Sequence, residues 1–156
     1  MSVTHAEQTP ILLTVVQASE AEELVALRVE AMRESLERVG RFDPARARER
    51  FLSGFFPEHT RHIEVGGHRV GFVAVKPGAD GLLLDHLYVH PSAQGQGVGS
   101  AVLAQVFAEA DAKAFSLRVG ALRDSASNRF YARHGFVLVE QTEFDNYYVR
   151  SVQNAL

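Results

Sequence analysis

The segment "QGQGVGS", residues 94–100, places Gly95, Gly97 and Gly99 on alternate positions just before the helix-forming run "AVLAQVFAEA". Glycine weakens a helix by about 1 kcal/mol per interior residue relative to alanine, so its concentration at a helix start asks for a chemical reason. The first turn of a helix carries four backbone N–H groups without intrahelical partners and a partial positive charge. Glycines there let the oxygens of an anion reach the backbone with no Cβ in the way. The spacing therefore predicts a phosphate cradle. The competing explanation, a sharp strand-to-helix turn with positive φ, needs one glycine rather than three. Two familiar nucleotide loops fit poorly. The dinucleotide fingerprint G-x-G-x-x-G would need glycine where Ser100 stands, and no convincing acidic ribose partner follows about twenty residues on. The P-loop needs Gly-Lys-Ser/Thr where this chain has Val98-Gly99-Ser100.

The elements that must hold this loop follow from periodicity and punctuation. "ILLTVVQA", residues 11–18, is apolar and β-branched and predicts a strand. Ser19 with Glu22 has the spacing of a capping box and starts a helix running to about Val39. Asp43-Pro44 starts a second helix, ending near Ser53. "TRHIEVGGHRVGFVAV" predicts a hairpin turning at Gly66-Gly67. After the turn "KPGADG", residues 82–89 ("LLLDHLYV") form a strand leading into the glycines. The following helix, to about Lys113, aligns Val102, Leu103, Val106, Phe107 and Ala110 on one face. "FSLRVGA" is a strand, "SASNRFYARHGF" a short helix closed by Gly135, and "VLVEQTE" and "YYVRSV" an antiparallel pair. The order is β-α-α-β-β-β-α-β-α-β-β: one α/β (α+β) domain over residues 11–151 behind a loose tail of residues 1–10, with a mixed, mostly antiparallel sheet flanked by helices.

Gln94 to Gly99 matches the pattern Q/R-x-x-G-x-G/A after a strand ending "LYVHP", and "NRFYARHGF", residues 128–136, sets Tyr131 four residues before Gly135-Phe136. With the element order, these motifs resemble the GNAT superfamily of N-acetyltransferases over roughly residues 11–150. The resemblance implies an acyl-CoA N-acyltransferase fold and acetyl-CoA as acyl donor. It implies that Gln94, Gly95, Gln96, Gly97, Val98, Gly99 and Ser100 hold the pyrophosphate. It further implies that Leu87, Tyr88 and Val89 hydrogen-bond the pantetheine like a neighbouring strand, in a slot where this strand splays from "SLRVGA". The family often carries an asparagine six or seven residues before the tyrosine; here Asp124 and Ser125 stand there, and Asn128 is out of that register. Ser125 and Asn128 are carried as cofactor-binding candidates, as is Tyr131.

Acetyl transfer to an amine needs a held donor, stabilisation of developing negative charge and proton movement. The chain has no cysteine, which excludes a cysteine acyl-enzyme and points to direct transfer. Tyr131 is the expected general acid, because a phenol near pKa 10 stays protonated at neutral pH and can protonate a departing thiolate. For the base, Asp85, His86, Glu34, Glu143 and Asp145 are candidates. Strict strand alternation sets Asp85 and His86 on opposite faces and groups His86 with Tyr88 and His90. The resemblance puts the acceptor under the first two helices. Arg28, Glu30, Arg33, Glu34 and Arg38 crowd the first, mostly as a solvated face, and Arg41-Phe42 sits at the bend between them. One of Tyr147 and Tyr148 is expected to line the pocket. Arg123, Arg129 and Arg133 are candidates for the 3′-phosphate of coenzyme A.

Composition bounds the alternatives. The chain has 156 residues and a formal net charge of −3, with no basic block of the kind that marks nucleic-acid binding. The close histidine pairs, His59/His62 and His86/His90, do not have metal-ligand spacing, so no metal is expected. "MSVTHAEQTP" lacks the basic flank and apolar stretch of a signal peptide, and Ile11 to Val16 is too short to span a bilayer. A cytoplasmic protein without a membrane partner is the expectation, acting on a small-molecule or peptide amine. A homodimer through the last hairpin is a further expectation of the resemblance. The alternative function is a non-catalytic acyl-CoA-binding regulatory domain; a different nucleotide binder is the weaker third.

Overall fold

The computed structural model describes residues 10–38, 40 and 42–153. The expected tail, apart from Pro10, lies outside the described residues, as do Val39 and Arg41. Seven strands form one sheet: β1 (Leu12–Val15), β2 (Thr60–Val65), β3 (His68–Pro77), β4 (Gly81–Val89), β5 (Ser116–Leu122), β6 (Val137–Gln141) and β7 (Asp145–Arg150). The helices are α1 (Ala21–Arg38), α2 (Pro44–Ser53), α3 (Val98–Ala112) and α4 (Ser127–Arg133). Sheet order is β1-β2-β3-β4-β5-β7-β6. Among neighbouring strands only β4 and β5 pair in parallel, an arrangement that needs a long crossover, which α3 supplies.

Two cores sit on the two faces. One packs α3 and α4 on the sheet through Val102, Leu103, Val106, Tyr131 and Phe136 against Ile63, Val73, Leu84 and Leu117. The other packs α1 and α2 through Leu24, Val25 and Phe51 against Val16 and Phe72. The Asp43 side chain caps α2 by accepting from Arg46 N–H at 3.1 Å, and Gly66 and Gly67 turn the β2–β3 hairpin at φ +57° and +82°. The capping box before α1 lies two residues earlier than expected. Glu20, not Glu22, reaches back, accepting from Gln17 N–H at 2.8 Å, while Glu22 pairs with Arg48 of α2. Glu20 also meets Nε2 of fully buried His62 at 2.9 Å, so that histidine is occupied structurally.

The feature that matters most for function lies in β4. Its partners on β3 step from Ala74↔His86 to Val75↔Leu84, which leaves Asp85 as an extra, bulged residue. A bulge bends and twists its strand and ends regular pairing. The β4–β5 ladder, which begins at Gly81↔Ser116, stops at Leu84↔Val119. Beyond it β4 stays bonded to β3 as far as Gly71↔Val89, and β5 stays bonded to β7 as far as Leu122↔Asp145. Two strands in the middle of the sheet thus diverge, each anchored on its outer side. The outer anchor is close: a Cβ on Gly71 would sit 2.2 Å from the Tyr88 carbonyl oxygen. Gly71→Ala must therefore push β4 off β3. The expected cost is at least about 1–3 kcal/mol in urea unfolding, as for other overpacked sites.

Candidate active site

The splay between β4 and β5 opens into two adjoining cavities. The helix-side cavity, about 650 Å³, lies between α1, α2 and the sheet and is lined by Arg28, Phe42, Asp85, Tyr88, Gly120 and Tyr131 among others. The loop-side cavity, about 900 Å³, is lined by Gln94, Gly95, Gly97–Ser100, Ser125 and α4 as far as Arg133. Leu87, Val89, Gln94, Ser125, Ser127 and Tyr131 border both. Ala31 of α1 also borders both, and Glu34 and Arg38 line the loop side, so the slot runs from the helical wall to the glycine loop.

Each of the three glycines has its own local reason. Gly95 and Gly97 have φ of +77° and +80°, and Gly97 is the N-cap of α3. Gly99 has ordinary φ, but a Cβ there would lie 3.1 Å from Phe130 Cζ, so it lets α4 approach α3. The expectation that the turn needs only one glycine is corrected: two serve the backbone and the third serves packing. The turn and the cradle are one object, because left-handed residues before a helix aim successive N–H groups into a concavity. A Cβ at Gly95 would meet nothing within 4 Å, so that side is empty space. Helical bonding starts with Ala101 N–H to Gly97 O at 3.1 Å, which leaves the N–H groups of Val98, Gly99 and Ser100 ahead of the ladder. Gln94 braces the loop by donating from Nε2 to Val89 O at 2.9 Å, and Gln96 Nε2 reaches Ser92 O at 3.5 Å. The Ser100 hydroxyl is held by His134 Nε2 at 2.9 Å.

Tyr131 is 6% exposed, packed edge-on to Phe136 and Phe130. Burial, with a smaller contribution from Tyr88, pushes its phenol above the ordinary value, so it is protonated through the whole working pH range. Among the described residues none hydrogen-bonds its hydroxyl, and the Tyr131 side chain borders both cavities.

Ser125 borders both cavities, with its hydroxyl donating to Leu122 O at 2.9 Å. Asn128 borders the loop-side cavity, and its amide is also engaged within the fold. Its Nδ2 reaches the carbonyls of Leu122, Arg123 and Ser125 at 2.7, 3.0 and 2.9 Å. Its Oδ1 accepts from Asn146 Nδ2 and Tyr148 O–H, both at 2.8 Å. The amide thus pins the β5–α4 connection to β7. Tyr148 is spent on that bond, Tyr147 packs over Gly120 beneath the Arg118 guanidinium, and neither lines a cavity.

The bulge also revises the strand faces. Asp85 Oδ2 lies 3.6 Å from His86 Nε2 and 3.3 Å from Lys76 Nζ, so Asp85 and His86 meet instead of facing apart. His86 stacks among Phe51, Phe72 and Tyr88. Burial lowers its pKa to about 4; Asp85 opposes that shift, and Arg28 and Lys76 reinforce it. His90 leaves the group altogether and caps the turn after β4, accepting from Ser92 N–H at 3.1 Å. Of the base candidates, Asp85 and Asp145 line the helix-side cavity and Glu34 the loop side, whereas His86 and Glu143 line neither. Arg129 and Arg133 border the loop-side cavity; Arg123 instead reaches Thr142 O at 3.3 Å. On α1, Glu30, Arg33, Glu34 and Arg38 form exposed ion pairs with neighbours on the same helix, as expected of a solvated face. Arg28 departs from them and turns inward. Sequence reasoning did not find the α2 arginines Arg46 and Arg50, which line the same cavity; their i, i+4 spacing was the available signal.

A splayed mixed sheet, a left-handed glycine loop at a helix start and a buried tyrosine across the slot define an acyl-CoA N-acyltransferase fold. Residues 57–138 match the family model described as an acetyltransferase (GNAT) domain, and the chain belongs to the GNAT acetyltransferase family. No curated protein sequence matches the chain significantly. Among solved structures, the chain resembles the PaiA N-acetyltransferase of Thermoplasma acidophilum in complex with coenzyme A, at 15% identity and TM-score 0.74, covering 91% of this chain and 99% of that one. It also resembles a GCN5-related N-acetyltransferase from Rhodopseudomonas palustris, at 24% identity and TM-score 0.72, covering 96% and 100%. A third is the ribosomal-protein-S18-alanine N-acetyltransferase of Escherichia coli, at 17% identity and TM-score 0.66, covering 94% and 96%. At these identities the likeness establishes the fold.

Two outcomes are expected from this geometry. Asn128→Ala removes the side-chain donor to Arg123 O and the acceptor of the Tyr148 phenol and the Asn146 amide, while Leu122 O and Ser125 O keep backbone donors, and should lower unfolding free energy by about 1–3 kcal/mol in denaturant titration. The His86 pKa is depressed on folding, so the stability from its neutral form is present above the ordinary value of 6.5 and lost as pH falls towards about 4. His86→Phe should flatten the pH dependence of the melting temperature in that window, measured by calorimetry.

Proposed function

We propose that the protein is an acetyl-CoA-dependent N-acetyltransferase that passes acetyl directly to a primary amine of a small molecule or peptide. The observation that carries this reading is the slot itself: a gap between two central strands, with the glycine loop at one mouth, an acidic and basic cavity at the other, and the Tyr131 side chain bordering both. The residues present fit the donor. The N–H groups at the start of α3 suit a pyrophosphate. The free edges of β4 and β5 suit the amides of a pantetheine arm, and Arg129 and Arg133 border the same cavity as candidates for the 3′-phosphate. Bound there, acetyl-CoA would supply an acetyl group activated as a thioester.

The chain's own residues then have defined tasks. Backbone groups of Leu87, Tyr88 and Val89 orient the arm and face the thioester carbonyl; one donor in such a role contributes about 10²–10³ in rate. Tyr131 gives its proton to the sulfur as the C–S bond breaks and the N–C bond forms. The proton leaving the nitrogen balances the one Tyr131 donates. Asp85, lining the acceptor side, is the carboxylate best situated to receive the amine's proton directly or through water. Desolvation of the slot strengthens each of these interactions.

Calorimetric titration with acetyl-CoA, with ATP and NAD as controls, tests donor binding, and thiol release tests turnover. Tyr131→Phe should keep acetyl-CoA affinity within about threefold while kcat falls about 10²–10⁴-fold, as for loss of a general acid. Because burial raises the phenol's pKa, wild-type kcat should show no Tyr131-dependent descending limb below about pH 10. Unchanged kcat in the variant would remove Tyr131 as the general acid, whereas acetyl-CoA binding with no thiol release from any amine by the wild type would support the non-catalytic alternative.

A further inference from the structure

The charges of the helix-side cavity are segregated by wall. On the helical wall, the Arg28 guanidinium crosses from α1 to α2, where its Nη1 donates to Ala47 O at 3.1 Å. It lies with its carbon 5.7 Å from the centroid of the Tyr88 ring. Its buried Nε finds no hydrogen-bond acceptor among the described residues. Arg46 and Arg50 flank Ala47 on α2, and i, i+4 neighbours share a helix face. All three arginines line the cavity, and among the described residues none of them has a carboxylate partner. By contrast, most other arginines of the chain are paired: Arg33, Arg38, Arg48, Arg61, Arg69, Arg118 and Arg150 all reach a glutamate or aspartate. On the helical side the one carboxylate, Asp43, is spent capping α2. On the sheet side the cavity's charged lining residues are carboxylates, Asp85 at the β4 bulge, paired from behind with Lys76 at 3.3 Å, and Asp145 at the start of β7.

We infer that the acceptor is a zwitterion: an amine that carries a carboxylate or another small oxyanion on the same molecule. This inference rests on the acetyl-transfer reading of the site. The amine enters the slot towards Asp85 and Tyr131, and the anionic group stays on the helical wall. There the guanidinium of Arg28 and the neighbouring Arg46 and Arg50 receive it in charge-assisted hydrogen bonds. Guanidinium suits this role because its planar donors match a carboxylate in pairs. A cavity of about 650 Å³ is in the range that encloses a small molecule, so a free amino acid or an aminoalkyl oxyanion fits better than a folded protein surface. An acceptor without the anion would leave the guanidinium wall uncompensated once water is expelled, which is the usual source of strong discrimination.

The test is a matched panel assayed by thiol release from acetyl-CoA: free amino acids, their carboxamides, aminoalkyl phosphonates, a C-terminally amidated peptide with a free N-terminus and no acidic side chain, and spermidine. Acetyl-CoA binding is measured in parallel by calorimetry, so failure of the donor site is seen separately from failure of this inference. The expected result is that an acid outperforms its own carboxamide by about 10- to 100-fold in kcat/KM, mostly through KM. In Arg28→Gln the KM for the acid should rise and the acid-to-amide ratio should collapse, with acetyl-CoA affinity retained. Since Arg28 also ties α1 to α2, Arg50→Gln on the cavity wall provides a second variant, expected to reduce the same ratio. Equal or better turnover of carboxamides, preference for spermidine or the peptide, or no turnover of any anionic amine by protein that binds acetyl-CoA would overturn it.

Discussion

A sheet whose central ladder comes apart after four residue pairs carries a real thermodynamic burden. Backbone N–H and C=O groups that would have satisfied one another are left facing a gap. The chain tolerates this because the gap is a cavity rather than a dry core. It maintains it because each diverging strand is held from outside, β4 by β3 through Val89 and β5 by β7 through Leu122. The bulge at Asp85 sits beside the last β4–β5 pair, Leu84↔Val119, and supplies the bend. Everything else at the site inherits its place from this separation. The glycine loop hangs from the end of the displaced β4, and Tyr131 reaches the junction from a helix that starts where β5 ends.

Holding the second wall takes its own chemistry. Past the end of the β5 ladder, the turn from Leu122 to Ser125 is tied by its own backbone bonds and by the Asn128 side-chain amide, which reaches three of its carbonyls and is in turn held by Asn146 and Tyr148. The network makes the position of Tyr131 a consequence of β7. On the opposite face, the aromatic cluster of Phe51, Phe72, His86 and Tyr88 locks α2 onto the displaced half of β4. Together with α3, whose Asp111 clasps Arg150 of β7 through two 3.0 Å bonds, these contacts make both mouths of the slot parts of the same rigid frame.

Much of this was legible in the sequence, and the reasons divide cleanly. Signals that act locally survived: the Asp43-Pro44 helix start, the Gly66-Gly67 turn, the α3 stripe and Gly135 closing α4 at φ +91° all appear as expected. What failed depended on a partner strand. Strict alternation along "LLLDHLYV" missed the bulge, although the spacing hints at it. Leu82 and Leu84 pack on one core, and so do Leu87 and Val89, so the period jumps from two to three across Asp85. The same slip set Asp85 apart from His86; the grouping of His86 with Tyr88 holds, and His90 leaves it because β4 ends at Val89. That the Asn128 amide is gripped by Asn146 and Tyr148 was not legible either, because nothing in sequence brings β7 over the start of α4. Arg28 looked like its solvated neighbours, since only the packing of α2 against α1 turns it inward.

The account stands or falls on the gap between β4 and β5 being a binding slot. Amide hydrogen exchange with and without acetyl-CoA tests that claim most directly. The prediction is that acetyl-CoA slows exchange selectively at Leu87 to Val89 and at Gly95 to Ser100. β1, β2 and the outer hairpin of β6 and β7 should be unaffected. Unchanged protection at both segments under saturating acetyl-CoA, or protection confined to elements away from the slot, would contradict it.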